Sequence, residues 1–298
     1  MQRGTWVAGV LISVVAGFSM VTPAYAGNIW LTGHDADFHC TLGAQCNHFG
    51  TAINFARLDA PDPTKPLLFL DTMGFSELEA AAAMPASTAK NTIEGPGMPF
   101  THVLMSPTDP GFATLLLSTS TYSAIVIASD TTCGGCDLNT FSTTPHSDAI
   151  NARTADITSF FNAGGGLVYF AGASHSAVYY ASVPVAATPV AVSPPFTLTA
   201  DGTTIGLIGG SGFGSDTNCC ATHNSFLLPG AGSPLKVAEL DEAGFAETLY
   251  AGNVSIGGGG FTGGDGGGPV VPEPASLLLF GLGGIGAGIM RRRQRVSA

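Results

Sequence analysis

The run Tyr122-Ser123-Ala124-Ile125-Val126-Ile127-Ala128 constrains the fold more than any other stretch of this chain. It is apolar and β-branched with no polar alternation, the pattern of a strand covered on both faces, and such strands belong to parallel sheets flanked by helices. Residues 28–32, 66–70, 102–105 and 167–171 read as further short strands. Between them, residues 49–58, 76–83 and 149–162 have helical spacing, and Gly164-Gly165-Gly166 stops the last of these. Alternating strands and helices imply right-handed crossovers and a three-layer α/β domain with a mainly parallel sheet. The second half is less regular. Residues 183–195 are rich in Val, Ala and Pro and read as extended, 196–199 and 204–208 as strands, and 235–240 with 248–254 as a closing pair. The body ends near residue 256, and the glycine-rich stretch 257–268 reads as a flexible linker.

In open α/β sheets, ligands bind beyond the carboxyl ends of the strands. Four polar clusters fall there. His34-Asp35-Ala36-Asp37-Phe38-His39 follows the first strand, Ser129-Asp130 the apolar run, and Ser174-His175 the strand at 167–171, while Thr222-His223-Asn224 joins from the later half. His34, Asp35, Asp37 and His39 lie within six residues and offer oxygen and nitrogen ligands to a divalent cation, calcium if oxygen dominates, zinc or manganese if the imidazoles take part. The plain reading is a loop whose Asp and His side chains cap the next helix. Ser174 and His175, with His223, are the candidates for a nucleophile and its base, although adjacent residues seldom turn both groups to one substrate. Asp130 is a lone carboxylate at a strand end, and His48, His102 and His146 have no companions in the sequence.

Between Gly27 and Gly268 there are five basic and 20 acidic residues, a formal net charge of −15. That balance repels phosphate backbones and argues against nucleic-acid binding. The six cysteines fall in three local couples, Cys40 with Cys46, Cys133 with Cys136, and Cys219 with Cys220. In an exported chain disulfides are the default reading, with about 15 possible connectivities.

Both ends read as sorting segments. Arg3, the apolar stretch 7–20 and Ala24-Tyr25-Ala26 make residues 1–26 a secretory signal peptide, to be removed by signal peptidase after entry into the export machinery. At the other end, Pro272-Glu273-Pro274 precedes an apolar segment reaching Met290, and Arg291-Arg292-Arg293-Gln294-Arg295 follows, a cationic stop that stays on the cytoplasmic side. As a helix, 275–290 is about 24 Å long against about 30 Å of hydrocarbon, and its five glycines weaken it further as an anchor. These three parts, in this order over 269–298, closely resemble the PEP-CTERM sorting signal of Gram-negative bacteria. The resemblance implies transient anchoring in the inner membrane, recognition by an exosortase, removal of the tail, and release to the cell surface or extracellular matrix.

Within the body, the end of the first strand at Leu31-Thr32-Gly33-His34-Asp35, the helix running into Asn162-Ala163-Gly164-Gly165-Gly166-Leu167-Val168 and the late His223 resemble the class I glutamine amidotransferase-like superfamily, including its trehalose-utilisation-type members. That implies a flavodoxin- or amidotransferase-like sheet. Where active members carry a nucleophilic cysteine on a strand-to-helix elbow, this chain has Gly172-Ala173-Ser174-His175-Ser176. The departure points to a non-catalytic body that binds a ligand such as exopolysaccharide, the alternative being a metal-assisted or serine-type hydrolase.

Overall fold

The computed structural model describes residues 27–39, 47–72, 93, 100–131, 137–210, 215–218 and 222–252. The segments expected to be signal peptide, linker and sorting tail, and the expected helix at 76–83, lie outside the described residues. So do all six cysteines, Cys40, Cys46, Cys133, Cys136, Cys219 and Cys220. No disulfide is seen among the described residues, and the pairing expected of Cys40, Cys46, Cys133, Cys136, Cys219 and Cys220 gains no support from the structure. Within the described residues, the first half forms β1 (Ile29–Thr32), β2 (Leu67–Leu70), β3 (His102–Met105), β4 (Ala124–Ile127) and β5 (Gly166–Tyr169). Every residue of β1, β2, β4 and β5 is buried, as the unbroken apolar runs require. These strands are parallel in the order β3-β2-β4-β5-β1. The order differs from the 2-1-3-4-5 of flavodoxin-like sheets, because β4 and β5 lie between β1 and β2.

Helix α1 (Ala36–His39) is one turn long, and α2 (His48–Arg57) lays Phe49, Ala52, Ile53 and Ala56 on the sheet. Phe49 stacks on Phe170 with ring centroids 5.4 Å apart. Helix α2 comes close to β5 at Gly166, where an added Cβ would sit 2.1 Å from the carbonyl oxygen of Ala56. The helix expected over 149–162 is two helices, Pro145–Asn151 and Thr154–Asn162. The break falls at Ala152-Arg153, where the buried guanidinium of Arg153 donates to the carbonyls of Phe112 and Leu115 and to Asp156. Arg153 thereby adds donors at the end of the Pro110–Thr114 helix, where the Phe112 carbonyl also accepts from Leu115 N.

The second half corrects the expectation of a mainly parallel sheet. β6 (Pro189–Val190), β7 (Thr197–Leu198), β8 (Ser225–Phe226), β9 (Lys236–Leu240) and β10 (Ala246–Ala251) all pair antiparallel. β10 lies against β1 with Leu31 opposite Leu249 and Thr32 opposite Thr248, so the sheet of ten strands among the described residues is mixed. Short connections explain the switch: β9 and β10 are joined too closely for a crossover helix. The closing pair expected at 235–240 and 248–254 is this hairpin. Residues 204–208 are not a strand. Ala200–Thr204 is helical instead, its N-terminus capped by Thr199 Oγ1 accepting from Gly202 N at 3.0 Å. Among the described residues no helix is long and apolar enough to cross a membrane.

Gly166→Ala should lower the unfolding free energy by about 2 kcal/mol or more, the cost of overpacking a close helix–sheet contact. Gly230→Ala, with nothing within 4 Å of the added Cβ, should leave the urea midpoint within about 0.5 kcal/mol of wild type. Equal midpoints for the two variants would contradict this packing.

Candidate functional site

The strand-end polar residues form three couples. Beyond β1, Asp35 Oδ2 lies 2.8 Å from His223 Nε2. Two residues on, Asp37 accepts from Ser129 at the end of β4, from its backbone N–H at 2.7 Å and from its hydroxyl. Asp130 Oδ2 lies 3.0 Å from His175 Nδ1 and accepts from the His175 backbone N–H, while its Oδ1 accepts from Thr131 N and from Asn139 Nδ2. Tyr180 knits the region together: its hydroxyl donates toward the carbonyls of Thr32 and Phe170 and accepts from Gly172 N. Gly33 allows the 222–224 segment to come this close, since a Cβ there would meet the carbonyl oxygen of Asn224 at 1.6 Å.

His34 turns away from these couples. Its Nε2 lies 3.0 Å from Glu239 Oε2 on β9 and 3.0 Å from Glu247 Oε2 on β10, and all three side chains are fully buried. The β9–β10 ladder slips at this point, running from Ala246 opposite Leu240 to Thr248 opposite Glu239, so Glu247 is the extra residue of a β-bulge. Bulges re-aim side chains, and this one lets both glutamates reach one imidazole. Thr248 Oγ1, 2.9 Å from Thr32 Oγ1, lies 2.7 Å from Glu247 Oε2 and 3.2 Å from Glu239 Oε2. His48, in the first turn of α2, packs its ring 4.8 Å from that of His34 and edge-on to Trp30. Asp216 steadies this turn by accepting from Asn47 N at 3.0 Å and Ile208 N at 2.7 Å.

The electrostatics are set by burial. Burial opposes the charging of His34, but the carboxylates of Glu247 and Glu239 outweigh it and hold its pKa well above the ordinary value. Burial, with the His34 charge beside it, pushes His48 well below. Burial raises Glu239 to about 7 against the pull of His34. Asp37 is likewise pushed up to about 7 by burial, although Ser129 opposes the shift, and Asp130 is raised by the same cause despite Asn139 and His175. Both ring nitrogens of His48, Nδ1 of His34, and Oε1 of Glu239 and Glu247 are buried without a hydrogen-bond partner. An orphaned buried polar atom costs about 1–3 kcal/mol, so five in one cluster ask for an occupant.

The loop 34–39 therefore does not turn to one point: His34 faces the glutamates, Asp35 faces His223 and Asp37 faces Ser129, while the side chain of His39 lies outside the described residues. Ser174 is exposed, and no hydrogen bond joins it to His175 among the described residues. Asp130 and His175 do meet. His48, without companions in the sequence, acquires them in space, and Glu239 and Glu247 escaped notice altogether. Their only sequence signal is a single carboxylate inside each of two mostly apolar strand runs, Val237-Ala238-Glu239-Leu240 and Ala246-Glu247-Thr248-Leu249.

Residues 270–294 match the protein family described as the PEP-CTERM protein-sorting motif. The tail is thus a PEP-CTERM signal, which supports an exported protein processed by an exosortase and implies transient membrane anchoring on the way to the envelope or surface. No curated protein and no solved structure matches the chain, so the amidotransferase-like resemblance of the body gains no support from a relative.

Asp37 offers a pH signature. Its folded pKa near 7 lies above the ordinary value, so the native state holds a proton that the unfolded chain has released, and stability from this group is present below pH 4 and lost as pH rises toward 7. Asp35 and Tyr179 are among the titratable groups that face it. Asp37→Asn should flatten the decline in urea midpoint between pH 4.5 and 7.5 by an amount on the order of 1–3 kcal/mol. An unchanged slope in the variant would show that Asp37 titrates normally.

Proposed function

We propose that this chain is an exosortase-processed surface or matrix protein whose body binds a ligand, exopolysaccharide being the class considered, at the carboxyl ends of its parallel strands. Signal peptidase removes 1–26, the tail is recognised at Pro272-Glu273-Pro274, and the body is released with its cysteines paired. The observation that carries the binding role is the meeting of Asp35 with His223, Asp37 with Ser129 and Asp130 with His175 beyond β1, β4 and β5, where open α/β sheets take their ligands. An amidotransferase-like ancestry is in keeping with the strand-end location, while the missing elbow cysteine departs from that family's active members. A hydrolase is the second reading, favoured by one feature: Asp130 at Nδ1 of His175 leaves Nε2 as the acceptor nitrogen, the posture of a general base. The exposed Ser174 supplies it with no bonded nucleophile.

Two experiments test these roles. Intact masses of the protein from envelope and culture medium should lack residues 1–26 and the tail, and should rise by about 6 Da on reduction if three disulfides are present. Pro272→Ala combined with Glu273→Ala should instead leave a membrane species that retains Arg291 to Arg295, and normal release of that variant would remove the exosortase route. For the body, Asp130→Asn and His175→Gln should each weaken calorimetric binding of soluble exopolysaccharide by about tenfold, or about 1.4 kcal/mol, with far-UV circular dichroism unchanged. Undiminished binding by both variants would refute a strand-end site.

A further inference from the structure

The buried cluster of His34, His48, Glu239 and Glu247 lies apart from the strand-end couples and is not explained by ligand capture there. We infer that it is a metal centre, with His34, His48 and Glu239 holding a zinc ion and Glu247 completing or supporting the set. This inference is independent of the proposed strand-end function.

Three observations carry it. One candidate ligand atom from each of His34, His48 and Glu239 lies within 4.8 Å of the others, with all three residues buried. Zinc bound to nitrogen and oxygen at about 2.0–2.2 Å places its ligands roughly 3.3–3.5 Å apart in a tetrahedron, so the cradle needs to contract by little more than an ångström. Next, His48 has both ring nitrogens unpaired inside the protein, and His34 Nδ1, Glu239 Oε1 and Glu247 Oε1 are unpaired as well. Each of the two imidazoles can give one nitrogen lone pair to a cation once its proton is released, and each unpaired carboxylate oxygen can give another. Finally, the carboxylates are already oriented by hydroxyls: Thr248 reaches both glutamates and Thr32 reaches Glu247. Metal ligands are ordinarily held by such contacts. Two imidazoles with one or two carboxylates is a donor set of borderline softness, suited to zinc rather than to calcium or magnesium. Because the ligands come from the end of β1, the start of α2 and the β9–β10 hairpin, the ion would fasten the antiparallel extension to the parallel half.

The test uses the mature protein isolated from its native source, stripped with a chelator and titrated with zinc alone. About one equivalent of zinc with nanomolar to micromolar affinity, a higher melting temperature when loaded, and an X-ray absorption spectrum with nitrogen and oxygen neighbours near 2.0–2.1 Å are the expected results. His48→Leu removes two unpaired nitrogens, so the apo variant should fold at least as well as apo wild type yet bind zinc about 100-fold more weakly or worse. Sulfur neighbours near 2.3 Å would place zinc on the cysteines and overturn the assignment. So would less than a tenth of an equivalent bound by wild type with no thermal shift, or tight stoichiometric binding retained by His48→Leu. Should that variant fail to fold, the comparison of loaded and stripped wild type and its absorption spectrum still decide the matter.

Discussion

β1 is the strand on which both halves of the molecule depend. Along one edge it runs parallel to β5, with Trp30 opposite Val168, and along the other it runs antiparallel to β10, with Thr32 opposite Thr248. Its four residues are fully buried, so neither edge has water as a substitute partner. The polar residues at its carboxyl end inherit that constraint. Thr32, Gly33 and His34 each take hydrogen-bond partners from β9, β10 or the 222–224 segment: Thr32 Oγ1 meets Thr248, His34 Nε2 meets Glu239, Gly33 N donates to the Glu247 carbonyl, and His223 N donates to that of Gly33. The two halves consequently share one polar seam, and the chemistry of the site is also the joint of the fold.

How much of this can be read from the sequence follows from where each signal resides. β4 and its neighbours are legible because burial on both faces leaves an unbroken apolar run, a property local to a few residues. The division of the 149–162 helix is not, because its cause is Arg153 reaching carbonyls about 40 positions away, and nothing in the local pattern announces that bond. The helix at Ala200–Thr204 is hidden by the apolar residues that follow it, whereas its real determinant is the hydroxyl of Thr199. For the site, the strand-end rule places Asp35, Asp130, His175 and His223 at one edge but does not pair them. The His34 cluster is beyond its reach, since the partners are separated by about 200 residues and the geometry depends on a bulge at Glu247. A lone carboxylate inside an apolar strand is the clue that remains, because burying it is costly without a partner.

The charge of the body bears on how these sites work. Three of its four described lysines and arginines are engaged elsewhere and the fourth, Lys236, is exposed: Arg57 donates to the Pro63 carbonyl, Lys65 faces Asp62, and Arg153 serves carbonyls and Asp156. Histidine is the basic side chain seen beside Asp35, Asp130, Glu239 and Glu247 among the described residues. Histidine differs from lysine or arginine in that it can give up its proton near neutrality. A fixed cation would have made these couples permanent ion pairs, inert toward other ligands. With imidazole in that place, a proton and an incoming cation or hydroxyl-bearing ligand compete for the same lone pairs, and the outcome depends on the surroundings. The joint between the two halves is therefore an acidic seam whose partners are imidazoles, groups able to serve as acceptors and metal ligands where lysine or arginine could only donate.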